Sequence, residues 1–162
     1  MIATELLLGK HYCEQAKADD FIDWAIANLE LGIESESILI LSSLSYEDDI
    51  FDVLEYFFTA LNDVNYEIKK DQSYYIDKYL VYFAQKVLSN DISLKEGFQE
   101  MFDIYSRIDY NGKYYLALFE DAKEELAYQR RNNHLLIINY KIENEEVFIK
   151  KIFKDFLESK ED

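Results

Sequence analysis

The sequence predicts an all-α fold: a single domain over residues 1–162, with six to seven helices as a bundle or a short helical-repeat-like stack. Three observations predict it. The chain has no proline, where average usage gives about eight, and only four glycines, Gly9, Gly32, Gly97 and Gly112. So few breakers favour long helices over a turn-rich β architecture. Apolar residues recur at helical spacing, and Ser or Asn stands where most of those runs begin.

The first run covers about residues 13–31, with Phe21, Ile22, Trp24, Ala25, Ile26 and Leu29 on one face and Asp19, Asp23 and Glu30 on the other. Gly32 is expected at C′, where a left-handed backbone suits glycine. Ser35 is expected to cap a short buried helix over 36–44. Ser45 is expected to cap a third over 46–64, with Asp48 and Asp49 near its positive end. That helix is the most amphipathic, its core stripe comprising Ile50, Phe51, Val53, Leu54, Phe57, Phe58 and Leu61. Asp48, Asp52 and Glu55 lie at i, i+4 and i+7 on the other side, a spacing at which like charges repel.

A fourth helix, 74–89, opens after Ser73 and carries Tyr74, Tyr75, Tyr79, Tyr82 and Phe83. Ser93 and Glu96 form a capping box for a fifth that ends near Ile108. The loop Asp109-Tyr110-Asn111-Gly112 follows. A sixth helix, about 115–131, points Leu116, Phe119, Ala122, Leu126 and Ala127 inward. Residues 134–142 read equally as extended chain or helix end. Asn144 is expected to cap the last helix, about 145–158.

Charge is the other dominant signal. Residues 18 to 68 hold thirteen acids and no Lys or Arg, where the whole-chain ratio would give roughly seven bases. Residues 1–66 carry 14 acids and 2 bases, net −12, and the remaining 96 carry 19 acids and 15 bases, net −4. A surface so uncompensated repels itself. It is read either as a solvated face or as a docking surface for a basic partner.

Other chemistry finds little support. The opening MIATELLLGKHYCE has no basic n-region, so no signal peptide is expected. No apolar run approaches a membrane span, and the single Cys13 excludes an internal disulfide and fits a reducing, cytoplasmic setting. His11 and Cys13, at i and i+2, point apart on a helix and are read as a surface imidazole and a small, partly buried thiol. No metal motif occurs. If Gly112 held position 6 of a calcium loop, positions 1 and 12 would be Arg107 and Leu118, without the carboxylates that site needs. No glycine-rich phosphate loop is present, and a net charge of −16 opposes nucleic acid. The expectation is a protein without enzymatic activity or cofactor.

The stretch Phe21-Ile22-Asp23-Trp24-Ala25, followed by Leu29, Gly32, Ser35, Ser37 and Ile40-Leu41-Ser42-Ser43-Leu44, resembles a pattern in short bacterial helical proteins of uncharacterised function, running roughly "WA…L..G..S..L..LA.L" before an acidic amphipathic helix. Lys95-Glu96-Gly97 fits their continuation, and the likeness covers about residues 21–102. Ser42-Ser43 stands where the pattern often has Ala. The resemblance implies a small helical cytoplasmic protein of bacterial type, with the size and acidity of immunity proteins that neutralise basic toxins.

The expected function is therefore an immunity-type inhibitor of a basic, nuclease-like toxin domain. Asp19, Asp20, Asp23, Asp48, Asp49, Asp52 and Glu55 would steer the encounter, with Tyr56 among the tyrosine anchors. Two alternatives are a nucleic-acid mimic that blocks a DNA-binding or defence protein and a scaffold that homodimerises through its aromatic helices.

Overall fold

A computed structural model describes residues 3–108, 114–132 and 144–160. Among these there are eight helices and no strand: α1 (Thr4–Tyr12), α2 (Ala18–Glu30), α3 (Glu36–Ser43), α4 (Ile50–Asp63), α5 (Ser73–Leu88), α6 (Leu94–Ile108), α7 (Ala117–Asn132) and α8 (Glu145–Glu158). The all-α expectation holds, with one helix more than the six to seven expected. The addition is α1, whose end absorbs Cys13, so α2 starts at Ala18 instead of near residue 13. The loop at 109–112 and the ambiguous segment at 134–142 lie outside the described residues. No helix among the described residues is long and apolar enough to cross a membrane.

The chain divides into two compact units, Met1–Tyr79 and Leu80–Asp162. In the first, α2, α3 and α4 pack on one another and α1 packs on α2. Their core holds Leu7, Leu8, Phe21, Ile22, Trp24, Ala25, Ile38, Leu41, Val53, Phe57, Leu61 and Tyr75. Phe57 lies at its centre, 4.8 Å from the ring of Phe21 and 5.0 Å, edge-on, from that of Trp24. Such contacts add about 0.5–1.5 kcal/mol beyond burial. The Trp24 indole N–H donates to Thr4 Oγ1 at 3.0 Å, tying α1 to α2.

In the second unit α6, α7 and α8 pack on one another. Phe119 joins Phe98, Phe153 and Phe156 at ring distances of 5.9, 5.0 and 5.8 Å. The capping expectations for Ser93 and Asn144 are met: Ser93 Oγ accepts from Glu96 N at 3.3 Å, and Asn144 Oδ1 accepts from Glu146 N at 2.9 Å.

Helix starts in the first unit depend more on carboxylates than the sequence suggests. Ser35 caps α3 as expected, accepting from Ile38 N at 3.2 Å. Ser45 does not cap α4. It begins a turn in which its N–H donates to Asp48 Oδ2 at 2.8 Å, and the helix starts later, where Asp49 Oδ1 accepts from Phe51 N at 2.8 Å. Before α5, Asp71 Oδ1 accepts from both the N–H and the hydroxyl of Ser73. Asp caps as well as Ser does, and its charge also favours the positive end of the helix dipole.

Helix ends follow one pattern. Gly32 is at C′ of α2 with φ +76°, and the Ile33 and Gly32 N–H groups donate back to Asn28 and Leu29 carbonyls. This is a Schellman stop. Glu14, Asn65 and Asn90 occupy the same left-handed position after α1, α4 and α5.

Candidate functional site

Most of the net charge belongs to the first unit. Residues 1–79 carry 17 acids and 5 bases, net −12, and residues 80–162 carry 16 acids and 12 bases, net −4. The candidate surface is the outside of α2, α3 and α4.

Five of the thirteen acids between 18 and 68, Asp19, Asp20, Asp23, Asp48 and Asp49, accept hydrogen bonds from their own fold. Asp19 Oδ1 accepts from Asp20 N at 3.0 Å. Asp20 accepts from Lys17 N at 2.9 Å, anchoring the start of α2, and forms a part-buried ion pair with Lys10 at 2.6 Å. Asp48 and Asp49 shape the α3–α4 turn as described above. Asp63, at the end of α4, lies near Ser37 and Ser35, whose polar groups hold its carboxyl below the usual range. Asp23 Oδ1 accepts from the Tyr46 hydroxyl at 2.7 Å, joining α2 to the α3–α4 turn. That bond, with the charges of Asp23 and Asp19, holds the Tyr46 phenol above its ordinary range, because a phenolate would face two carboxylates.

Asp52 and Glu55 differ from these. Both are exposed on α4 and their carboxylates meet no donor among the described residues. Tyr56 is half-buried against the core and offers little of a free face. The fold thus brings Asp19, Asp23 and Tyr46 together on α2 and its neighbouring turn. It aligns Asp52 and Glu55 along α4 and uses Asp20, Asp48 and Asp49 locally.

Phe51, expected in the core stripe, is 77% exposed. The buried residues of α4 are Val53, Phe57, Ala60 and Leu61. At 100° per residue Phe51 lies about 135° from their mean direction. It therefore shares the outer face with Glu55, one turn on. Tyr46, Ile26, Leu31, Ile33 and Leu39 are the other exposed large apolar residues described in this unit. Angular bookkeeping would have placed Phe51 and Leu39 outside, whereas hydrophobicity alone placed Phe51 inside.

His11 is half-buried instead of a surface imidazole. Its ring lies 5.3 Å from that of Tyr12, 5.9 Å from Phe21 and 5.8 Å from Phe58, and burial pushes its pKa down. Cys13 is fully buried, where partial burial was expected. Among the described residues no group of three or more His, Cys, Asp or Glu is placed to hold a metal ion.

The aromatic helix α5 keeps few of its rings outside. Tyr75, Tyr79 and Phe83 are buried and Tyr82 is exposed. Tyr75 Oη accepts from Lys69 N at 2.8 Å, and burial together with Tyr75 pushes the Tyr66 phenol up to about 12. Tyr74 donates to Glu5 at 2.8 Å, and Lys78 pairs with the same carboxylate. Tyr75 thus fastens the 64–72 connection to α5, and Tyr74 ties the start of α5 to α1. No protein-family model, curated protein or solved structure matches this chain.

Proposed function

We propose that this chain is a non-enzymatic binding protein, an immunity-type inhibitor whose acidic first unit docks on a basic toxin domain and covers its positively charged site. The cytoplasm is its proposed location, where the lone thiol of Cys13 stays reduced. The observation that carries the reading is Phe51, 77% exposed on α4 beside Asp52 and Glu55. A bare phenyl ring on a highly charged face suits an interface in which carboxylates steer and an aromatic side chain anchors. Asp52 and Glu55 support the steering role because their charges are not engaged by donors among the described residues.

The test is a pull-down with this chain from its host, followed by association and dissociation kinetics against the basic protein it captures. Asp52→Lys with Glu55→Lys is expected to slow association about tenfold at low salt and flatten its salt dependence. Phe51→Ser is expected to speed dissociation about tenfold or more. Rates unchanged by both variants would remove this face from the interface.

A further inference from the structure

We propose that the outer surface of the α2–α3 hairpin is a second docking strip, one that seats an amphipathic, Lys/Arg-rich helix of the partner. This inference rests on reading the protein as a binder of basic partners, and it adds the structural class of the segment bound.

Ile26 is 38%, Leu39 53% and Tyr46 59% exposed. On α2, Ile26 lies three residues after Asp23 and four before Glu30, so both carboxylates are its neighbours along the outer face. Leu39 projects away from the buried Ser37, Ile38 and Leu41, one turn beyond Glu36. The hairpin register is set at both ends. Residues 31–35 join α2 to α3, and the Tyr46 hydroxyl meets Asp23 at the other. Between these ties Ile26 is five residues before Leu31 and Leu39 four after Ser35, so each stands just over one helical turn from the 31–35 connection.

The result is an apolar strip bordered by Asp19, Asp23, Glu30 and Glu36. Exposed apolar surface rimmed by charge marks interaction sites, and an amphipathic helix meets such a surface with the apolar residues at i, i+3, i+4 and i+7 on its own face. The border selects the occupant. A second copy would bring one unit of net −12 against another, and an anionic lipid surface would be repelled. A helix with leucines on one side and lysines on the other meets both the strip and its border.

The test uses the full chain and two labelled 18-residue helical peptides of equal positive charge. One carries leucines along one face, and the other replaces them with alanine. The Leu/Lys peptide is expected to bind at least tenfold tighter than the Ala/Lys peptide. Ile26→Ser with Leu39→Ser should erase that difference while leaving Ala/Lys binding and the helical circular dichroism unchanged. Asp52→Lys with Glu55→Lys should leave the difference in place.

Discrimination that survives Ile26→Ser with Leu39→Ser overturns the strip. So does a dimer in sedimentation that this double variant dissolves, or uptake of neutral vesicles that it abolishes. If both peptides bind equally and salt-dependently, the strip fails while the basic-partner reading stands. If neither binds, both fail.

Discussion

Gly9 and Gly32 show why the same residue type carries different constraints. A Cβ on Gly9 would lie 2.2 Å from the Tyr75 carbonyl oxygen and 2.6 Å from Tyr79 Cβ, so α1 crosses these residues backbone to backbone. Gly32 has open space around a Cβ but a φ of +76°. Gly9→Ala must move a helix and is expected to cost more than about 3 kcal/mol, as overpacking against backbone does at its upper end. Gly32→Ala pays only for the left-handed conformation, about 1 kcal/mol. Chemical denaturation followed through Trp24, the only tryptophan and itself buried, measures both. Equal losses would mean that α1 does not pack as described. His11 offers a second test. Burial lowers its pKa in the fold, so the unfolded chain takes up the proton first. Stability from this group is therefore intact above the unfolded value near 6.5, falls as pH drops below it, and levels off once the folded value is passed. His11→Gln should lessen the fall in Trp24-monitored stability between pH 7.5 and 5, compared with the parent chain. An identical fall would place the imidazole in water.

For whole elements, the sequence was most legible where one helix face was apolar and a small polar residue stood at its start. The C′ role of Gly32 and the caps at Ser35 and Asn144 were visible for that reason. Helix α1 was not. Its Leu6-Leu7-Leu8 run has no one-sided pattern, and Gly9 looks like a breaker until its contact with α5 residues is seen. The start of α4 was missed because Ser45 and Asp49 are both good caps, and tertiary context chose between them. Asp49→Ala is accordingly expected to cost about 1 kcal/mol through loss of its bond to Phe51 N, with Ser45→Ala costing less. Melting temperatures of the two variants decide this, and a larger loss at Ser45 would move the helix start back to the expected position. The candidate face was half legible. Its charge could be counted, but the tasks that occupy Asp20, Asp48 and Asp49 depend on donors from turns that periodicity does not resolve. The exposure of Phe51 depends on its angle around α4.

For the molecule as a whole, the charge excess divides into local and uncommitted parts. Carboxylates that cap helices or bind hydroxyls gain hydrogen bonds in the fold. Asp52 and Glu55 gain none among the described residues and add to the repulsion within a unit of net −12. Screening should therefore stabilise that unit: the Debye length falls from about 30 Å at 0.01 M salt to about 3 Å at 1 M. The Trp24-monitored melting temperature is expected to rise with sodium chloride, the reverse of a fold held by surface ion pairs. Glu55→Lys should stabilise the unit at low salt by a few tenths of a kcal/mol, because a lysine three residues after Asp52 turns a like pair into an opposite one. The gain should shrink at high salt. A variant that is more stable alone yet slower to meet the proposed basic partner would identify Glu55 as a charge retained for encounter at a cost to the fold. A melting temperature that falls with salt would show instead that the acidic surface is already neutralised within the chain.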